Sequence, residues 1–409
     1  MYLARDLEPI IQQTTKEYPV LLLTGPRQVG KTTLLTHIMQ QENKPRTYVS
    51  LDSLEARSLA NQDPAAFFNA YPPPILIDEV QYAPDLFRAI KIEVDANQRP
   101  GDFWLTGSQS FHLMRGVQES LAGRVAVLRL SLLSQNERFS HLDPQAFTLD
   151  LESLKERQSL LGPLSPREAY QRMLQSAMPR LASGEVSDQN LYYESYLDTY
   201  IQRDIRDILM VQNVGEFRRF FSAVAARTGQ MLNKADMARD LGIHPSTANS
   251  WLGVLEMLGL VYFLPPYFNN LLKRAIKTPK MYMVDVALAC HVLRIDSIDA
   301  LLSSPLRGEL FETYVINEIV RSYRNVGSEP WMYYYRDTNQ REIDIVFESG
   351  GVIHPLEIKT SESPSSQLTR TFHVLDSGIY PRSTGGVICN TPSIERLDAN
   401  NWSIPVALI

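Results

Sequence analysis

Residues 20–33 read VLLLTGPRQVGKTT, and this stretch decides the fold of the first third of the chain. Val20, Leu21, Leu22 and Leu23 make an apolar run too short for a helix, so it reads as a buried strand. A helical pattern follows from about Lys31 to Gln40. Between them, Gly25, Pro26, Arg27, Gln28, Val29, Gly30, Lys31 and Thr32 fit the spacing G-x-x-x-x-G-K-[ST], with Thr33 next in line. Such a loop curls so that successive backbone N–H groups face one phosphate, and glycines remove the side chains that would block it. The helix start adds partial positive charge. Residues 25–33 are therefore expected to cradle ATP, with Lys31 neutralising the β- and γ-phosphates and Thr32 offering its hydroxyl to Mg²⁺.

Moving outward, TYVSLD (47–52), ILIDE (75–79), FWLTG (103–107) and VAVLRL (125–130) read as further strands separated by helical stretches. Strands alternating with helices imply a parallel α/β sheet covered on both faces. ILIDE ends a buried strand in two acids, which is costly unless they serve a purpose. Asp78 is expected to hold Mg²⁺ through water, and Glu79 to activate the water that attacks the γ-phosphate. FWLTGSQ is expected to lie between the two motif strands, bringing Ser108, or Thr106, near the γ-phosphate. Arg124, in SLAGRV, is placed to reach a neighbouring subunit's nucleotide.

TGPRQVGKTTL, ILIDEVQ, LTGS and SLAGRV, in this order, resemble the AAA-type (AAA+) ATPases that carry a C-terminal domain catalogued as DUF4143. The likeness runs from RDLEPII near the start to LEIKTS near the end and includes YLDTYIQRDI. It implies an AAA+ fold, Mg-ATP as ligand, and a ring or other homo-oligomer, a hexamer being one such form. It also implies catalytic roles for Lys31, Glu79, Ser108 (sensor-like) and Arg124 (finger-like), and metal binding by Thr32 and Asp78.

Toward the other end, residues 341–360 read REIDIVFESGGVIHPLEIKT. Strand alternation puts Glu357 and Lys359 on one face, Asp344 lies on the preceding strand, and Glu312, or Glu318, on the helix LFETYVINEIV can approach them. An acid followed by E-x-K resembles the PD-(D/E)xK nuclease superfamily, with Ile343 where the motif has proline. That resemblance implies a second Mg²⁺ or Mn²⁺ held by the acids, with Lys359 activating water.

Between these units, residues 230–265 read helix, glycine turn, helix and strand, a winged-helix pattern expected to start its second helix at Ser246 or Thr247. Ser246, Thr247, Asn249 and Ser250 would face a duplex, and Lys273, Arg274, Lys277 and Lys280 would contact its phosphates. The net charge of −6 argues against a nucleic-acid binder, yet residues 201–290 alone carry +4. LYYESYLDTYIQRDIRDIL (191–209) reads as an amphipathic helix whose tyrosines pack inward, and RQSLLGPLSPRE (157–168) as a linker.

The expected organisation is an ATPase domain over 1–140, a helical lid or linker region over 141–225, a winged helix over 226–290 and a nuclease-like domain over 291–409. Two cysteines, Cys290 and Cys389, fit buried thiols in a reducing compartment. No run is long and apolar enough to span a membrane, and MYLARDLEPIIQ lacks the apolar core of a secretory signal, so a cytoplasmic protein is expected. The leading expectation is an ATP-driven homo-oligomer that binds or remodels DNA, branched DNA included. The alternative is a nucleotide-dependent switch acting on a protein partner, with a nuclease-like domain that does not cut.

Overall fold

In the computed structural model of the chain, the described residues are 2–43, 45–107, 120–201, 214–268, 278–376 and 378–409. The strand after the N-terminal helix α1 (Glu8–Glu17) is β1 (Val20–Thr24), and Lys31–Gln41 forms α2. β2 (Thr47–Ser50), α3 (Leu54–Gln62), α4 (Pro64–Ala70), β3 (Ile75–Asp78), α5 (Leu86–Asn97), β4 (Phe103–Gly107) and β5 (Val125–Arg129) follow. The five strands make one sheet in the order β2-β3-β4-β1-β5, every pair parallel. β4 thus lies between β1 and β3, the position expected from its sequence.

Successive strand residues point to opposite faces, and the sheet uses both. Val20 and Leu22 pack with Ala60, Phe67, Phe87 and Ile90 of α3, α4 and α5. Leu21 and Leu23 face the other way, onto Leu7, Ile11, Leu34 and Ile38 around α1 and α2. This second core does not stop at the sheet. It runs through the rest of the chain to Leu408 and Ile409, across the boundaries expected near 140, 225 and 290.

The expected linker is mostly helix. α6 (Leu151–Leu160) and α7 (Pro166–Leu174) leave only residues 161–165 between them. Ser165 and Glu168 form a reciprocal capping box and Pro166 takes the first helical turn, so the Ser-Pro pair starts a helix here instead of a loop. α8 (Pro179–Ala182) and α9 (Gln189–Tyr196) come next, with Tyr192, Tyr193 and Tyr196 buried as packing residues. α9 continues as a wider turn over Leu197–Ile201, and the remainder of the expected helix to 209 lies outside the described residues.

α10 (Val214–Ala226), α11 (Lys234–Leu241) and α12 (Pro245–Met257) accompany a small antiparallel sheet, β6-β8-β7. Its strands are β6 (Gln230–Met231), β7 (Val261–Leu264) and β8 (Lys280–Met283). α12 starts earlier than expected. His244 is its cap, the ring Nδ1 accepting from the Ser246 N–H at 3.3 Å, because Pro245 fits the first helical position and serine need not supply the cap.

α13 (Val286–Val292) and α14 (Ile298–Ser303) lead into the long helix α15 (Arg307–Asn325). α15 packs on a six-stranded mixed sheet ordered β13-β14-β12-β11-β10-β9. Its members are β9 (Met332–Arg336), β10 (Glu342–Ser349), β11 (Val352–Ile358), β12 (Gly385–Cys389), β13 (Glu395–Arg396) and β14 (Asn401–Pro405). β9, β10 and β11 form an antiparallel meander, and β12 joins β11 in parallel.

Candidate active site and a second charged cluster

In a parallel sheet all strands end at the same edge. Here that edge gathers the loop after β1, the acids Asp78 and Glu79 at the end of β3 and the threonine of β4. Gly25 has φ +147°, and a Cβ there would meet the Leu130 carbonyl oxygen at 2.2 Å, so only glycine fits. The Lys31 ammonium curls back into the loop and donates to the carbonyls of Gly25 (2.9 Å) and Pro26 (2.8 Å). Burial pushes its pKa down to about 8, against the pull of Glu79 and Asp78. A buried cation hydrogen-bonded to two loop carbonyls, beside a glycine with no room for a Cβ, suits a phosphate chain. The residues therefore fit ATP.

Asp78 accepts from the Thr32 hydroxyl at 2.9 Å and from the Tyr48 hydroxyl at 3.4 Å. Thr106 also donates to Asp78, and its oxygen accepts the Glu79 N–H at 3.3 Å. The β4 threonine thus ties the two acids together, while Ser108 lies outside the described residues. Glu79 has a left-handed backbone, φ +56°, a conformation that costs a non-glycine residue about 1–2 kcal/mol. The turn keeps it there, and the Gln81 amide donates to its carboxylate.

Several supports of the loop are not visible in the motif. Arg5, 5% exposed, donates from Nη1 to the Val29 carbonyl (2.8 Å), from Nη2 to the Ser131 carbonyl (2.7 Å) and from Nε to Glu137 (2.8 Å). Glu137 in turn accepts the N–H groups of Ser134 (2.8 Å) and Asp6 (3.0 Å). From the other side Tyr192 donates to Gln28. Gly259, at the turn after α12, approaches so closely that a Cβ there would stand 2.6 Å from Pro26 Cγ.

Arg124 is at the opposite edge of the sheet. Its carbonyl accepts the N–H of Val20, the first residue of β1, roughly 16 Å from the loop at about 3.3 Å per strand residue. Its guanidinium pairs with Asp95 of α5 at 2.5 Å. It does not reach the nucleotide loop of its own chain.

In the C-terminal unit the expected acids and lysine come together. Lys359 Nζ lies 2.9 Å from Asp344 Oδ2 and 2.7 Å from Glu357 Oε2, and the Ile358 N–H donates to Asp344 Oδ2 at 2.8 Å. Glu312 joins from α15, its Oε1 accepting from the Tyr282 hydroxyl at 2.6 Å. Glu318 does not: it pairs with Arg321 at 2.6 Å and accepts the Gln135 N–H. The residue that the sequence reading misplaced is Lys280. It is 3% exposed, with Nζ 2.6 Å from Glu342, 3.0 Å from Glu312 and 3.7 Å from Asp344, so it cannot lie on a phosphate backbone. It opens β8, whose pairing with β7 turns its side chain into the acids and away from the surface.

The cluster is strongly perturbed. Burial, then the Asp344 carboxylate, raise Glu357 to about 9 and Glu312 to about 7. For Asp344 burial acts upward, but Lys359 and Lys280 outweigh it and hold the carboxyl below its ordinary value. A cavity of about 380 Å³ opens on this cluster between Lys280, Glu312, Glu342, Lys359 and Arg336. A larger one, about 870 Å³, lies among α9, α10 and α13 and gathers none of the expected site residues.

At the start of α12, Ser246, Asn249 and Ser250 are exposed and Thr247 is half-buried, with Lys234 donating to Asn249 at 2.5 Å. Lys273, Arg274 and Lys277 lie outside the described residues.

A parallel sheet with a phosphate loop on β1, acids at the end of β3 and the β4 strand between them defines a P-loop ATPase of the AAA type. The model of the AAA domain matches residues 17–139, a domain of unknown function (DUF8612) matches 167–299, and a domain of unknown function (DUF4143) matches 307–409. The uncharacterized proteins Rv2008c of Mycobacterium tuberculosis and Mb2031c of Mycobacterium bovis are each 30% identical over 361 residues, covering 88% of this chain and 75% of theirs. The chain belongs to this family of AAA-domain proteins with a C-terminal DUF4143 domain. Among solved structures it is similar to the Walker-type ATPase paby2304 of Pyrococcus abyssi, with 15% identity, a TM-score of 0.43 and coverage of 70% of this chain and 95% of that one. A mutant of Thermotoga maritima RuvB is similar at 17% identity and a TM-score of 0.30, covering 63% of this chain and 86% of that one.

Proposed function

We propose that the protein hydrolyses Mg-ATP and, as a cytoplasmic homo-oligomer, uses that cycle to bind or remodel DNA. The carrying observation is the convergence of Lys31, Thr32, Asp78, Glu79 and Thr106 at one edge of the sheet. Backbone N–H groups of residues 27–33 and the Lys31 ammonium bind the phosphates. Thr32 and Asp78 would hold Mg²⁺, which supplies positive charge against the transferring phosphoryl group. Glu79 accepts the proton of the attacking water, and Arg124 acts only across a subunit boundary, after leaving Asp95. Ser108 stays in this reading as a sensor of the γ-phosphate.

Glu79→Gln tests the hydrolytic step. ATP binding is expected to survive while turnover falls by about 10²–10⁴-fold, the usual contribution of a positioned base. Unchanged turnover in that variant would remove Glu79 from the mechanism.

For DNA, the support is the helix–turn–helix of α11 and α12 with its three-stranded sheet, read as a winged helix that presents Ser246, Thr247, Asn249 and Ser250, with Lys273, Arg274 and Lys277 as phosphate contacts. Loss of Lys280 from that set favours keeping a second reading: a nucleotide-dependent switch on a protein partner, whose nuclease-like C-terminal unit does not cut. Affinity for duplex and branched DNA that falls steeply between about 50 and 200 mM salt distinguishes the first reading from the second. An affinity indifferent to salt, or no binding with ATP present, selects the protein partner.

A further inference from the structure

The C-terminal cluster has a cation of its own. We propose that the Lys280 ammonium stands where a divalent metal would sit between Glu312, Glu342 and Asp344, making the nuclease-like unit a metal-free site. The inference rests on the non-cleaving reading of that unit and is independent of the ATPase.

Three carboxylates from two elements, Glu312 of α15 with Glu342 and Asp344 of β10, surround the single Nζ at 3.0, 2.6 and 3.7 Å. A divalent metal would need these oxygens at about 2.0–2.6 Å around one centre, and the ammonium fills that centre. The other oxygen of Asp344 is also taken, by Lys359 Nζ and the Ile358 N–H. Among the described residues, no group of three or more His, Cys, Asp or Glu side chains could hold a metal ion.

Lys280 is not there by side-chain wandering. Its backbone is paired on both sides, with Leu264 of β7 and Met231 of β6, so the strand fixes its position. Tyr282, two residues along the same strand, shares that face and binds the same oxygen of Glu312. The small sheet therefore delivers both a cation and a hydroxyl into the acids of its neighbour. A buried ammonium and the acids around it depend on one another, because removing either partner leaves an uncompensated buried charge.

The test uses the full chain without nucleotide and Mn²⁺ as the probe, followed by calorimetric titration and by melting. Wild type is expected to show no Mn²⁺ binding that Asp344→Asn removes, and no Mn²⁺-dependent shift of its melting midpoint. Lys280→Met is expected to gain stoichiometric Mn²⁺ binding and a midpoint that rises with Mn²⁺ concentration, as binding to the folded state requires. If Lys280→Met folds poorly, Lys280→Gln, which removes the cation but keeps all three acids and can still hydrogen-bond them, carries the same reading. Asp344-dependent Mn²⁺ binding by wild type overturns the proposal, and so does a Lys280 variant with no response to Mn²⁺. DNA cleavage by a wild type that binds no Mn²⁺ here overturns the non-cleaving reading alone.

Discussion

Lys31 carries the clearest pH signature of the nucleotide site. In the free loop its pKa is lowered to about 8, and a phosphate chain would raise it again. Below pH 8 the ammonium is already charged and ATP meets a cation. Above it, binding must recruit a proton, so nucleotide affinity is expected to fall by up to about tenfold per pH unit. Titration in two buffers of different ionisation enthalpy should show proton uptake above pH 8; affinity that stays level to pH 10 contradicts the assignment. Arg5 makes a separate prediction. Arg5→Met leaves the buried Glu137 without its counter-charge, a loss that typically costs about 3–5 kcal/mol, and Arg5→Met/Glu137→Gln should recover most of it in urea unfolding. The contrast between these two residues shows what a sequence reveals. Lys31 was legible because its chemistry lies within one eight-residue motif. Arg5 was not, because its partners Val29, Ser131 and Glu137 are 24, 126 and 132 positions away.

Among the elements, strands with local signals were easiest to read, and β4, a further strand ending in polar residues, was expected between the two motif strands of a parallel sheet, where it lies. The misreadings came where a local signal has two outcomes. Ser165-Pro166 can end a turn or cap a helix, and Glu168 three residues on decides for the helix. Lys280 follows a basic run, but only the pairing of β8 with β6 and β7 shows which way it faces. The Asp344, Glu357 and Lys359 cluster was legible from strand alternation, which also puts Glu342 on the face of Asp344, whereas its partners Lys280 and Tyr282 depended on how two sheets meet. The turn after α12 has its own test. Gly259 has φ +71° and faces Pro26 at a distance that leaves no room for a Cβ. Gly259→Ala should lose about 1–2 kcal/mol from the left-handed backbone alone. It should also push on the phosphate loop, so thermal shifts with and without ATP should reveal weaker nucleotide binding as well as a lower midpoint.

At the scale of the whole molecule, Arg124 marks the sheet edge farthest from the phosphate loop. If it serves a neighbour, Arg124→Ala should lower ATP turnover only at concentrations where the chain assembles; an equal loss in dilute, monomeric protein contradicts that role. The two faces of the first sheet have unequal histories during synthesis. The face bearing Val20 and Leu22 is sealed by residues between 49 and 121, within the same third of the chain. The face bearing Leu21, Leu23 and Trp104 belongs to a core that is finished only by Leu408 and Ile409. At about 5–20 residues per second on a ribosome, that core waits roughly a quarter of a minute or more after its sheet is made before Leu408 and Ile409 can join it. A nascent chain halted midway would hold one finished core and one with its apolar rim still open, a natural client for whatever holds unfinished proteins apart.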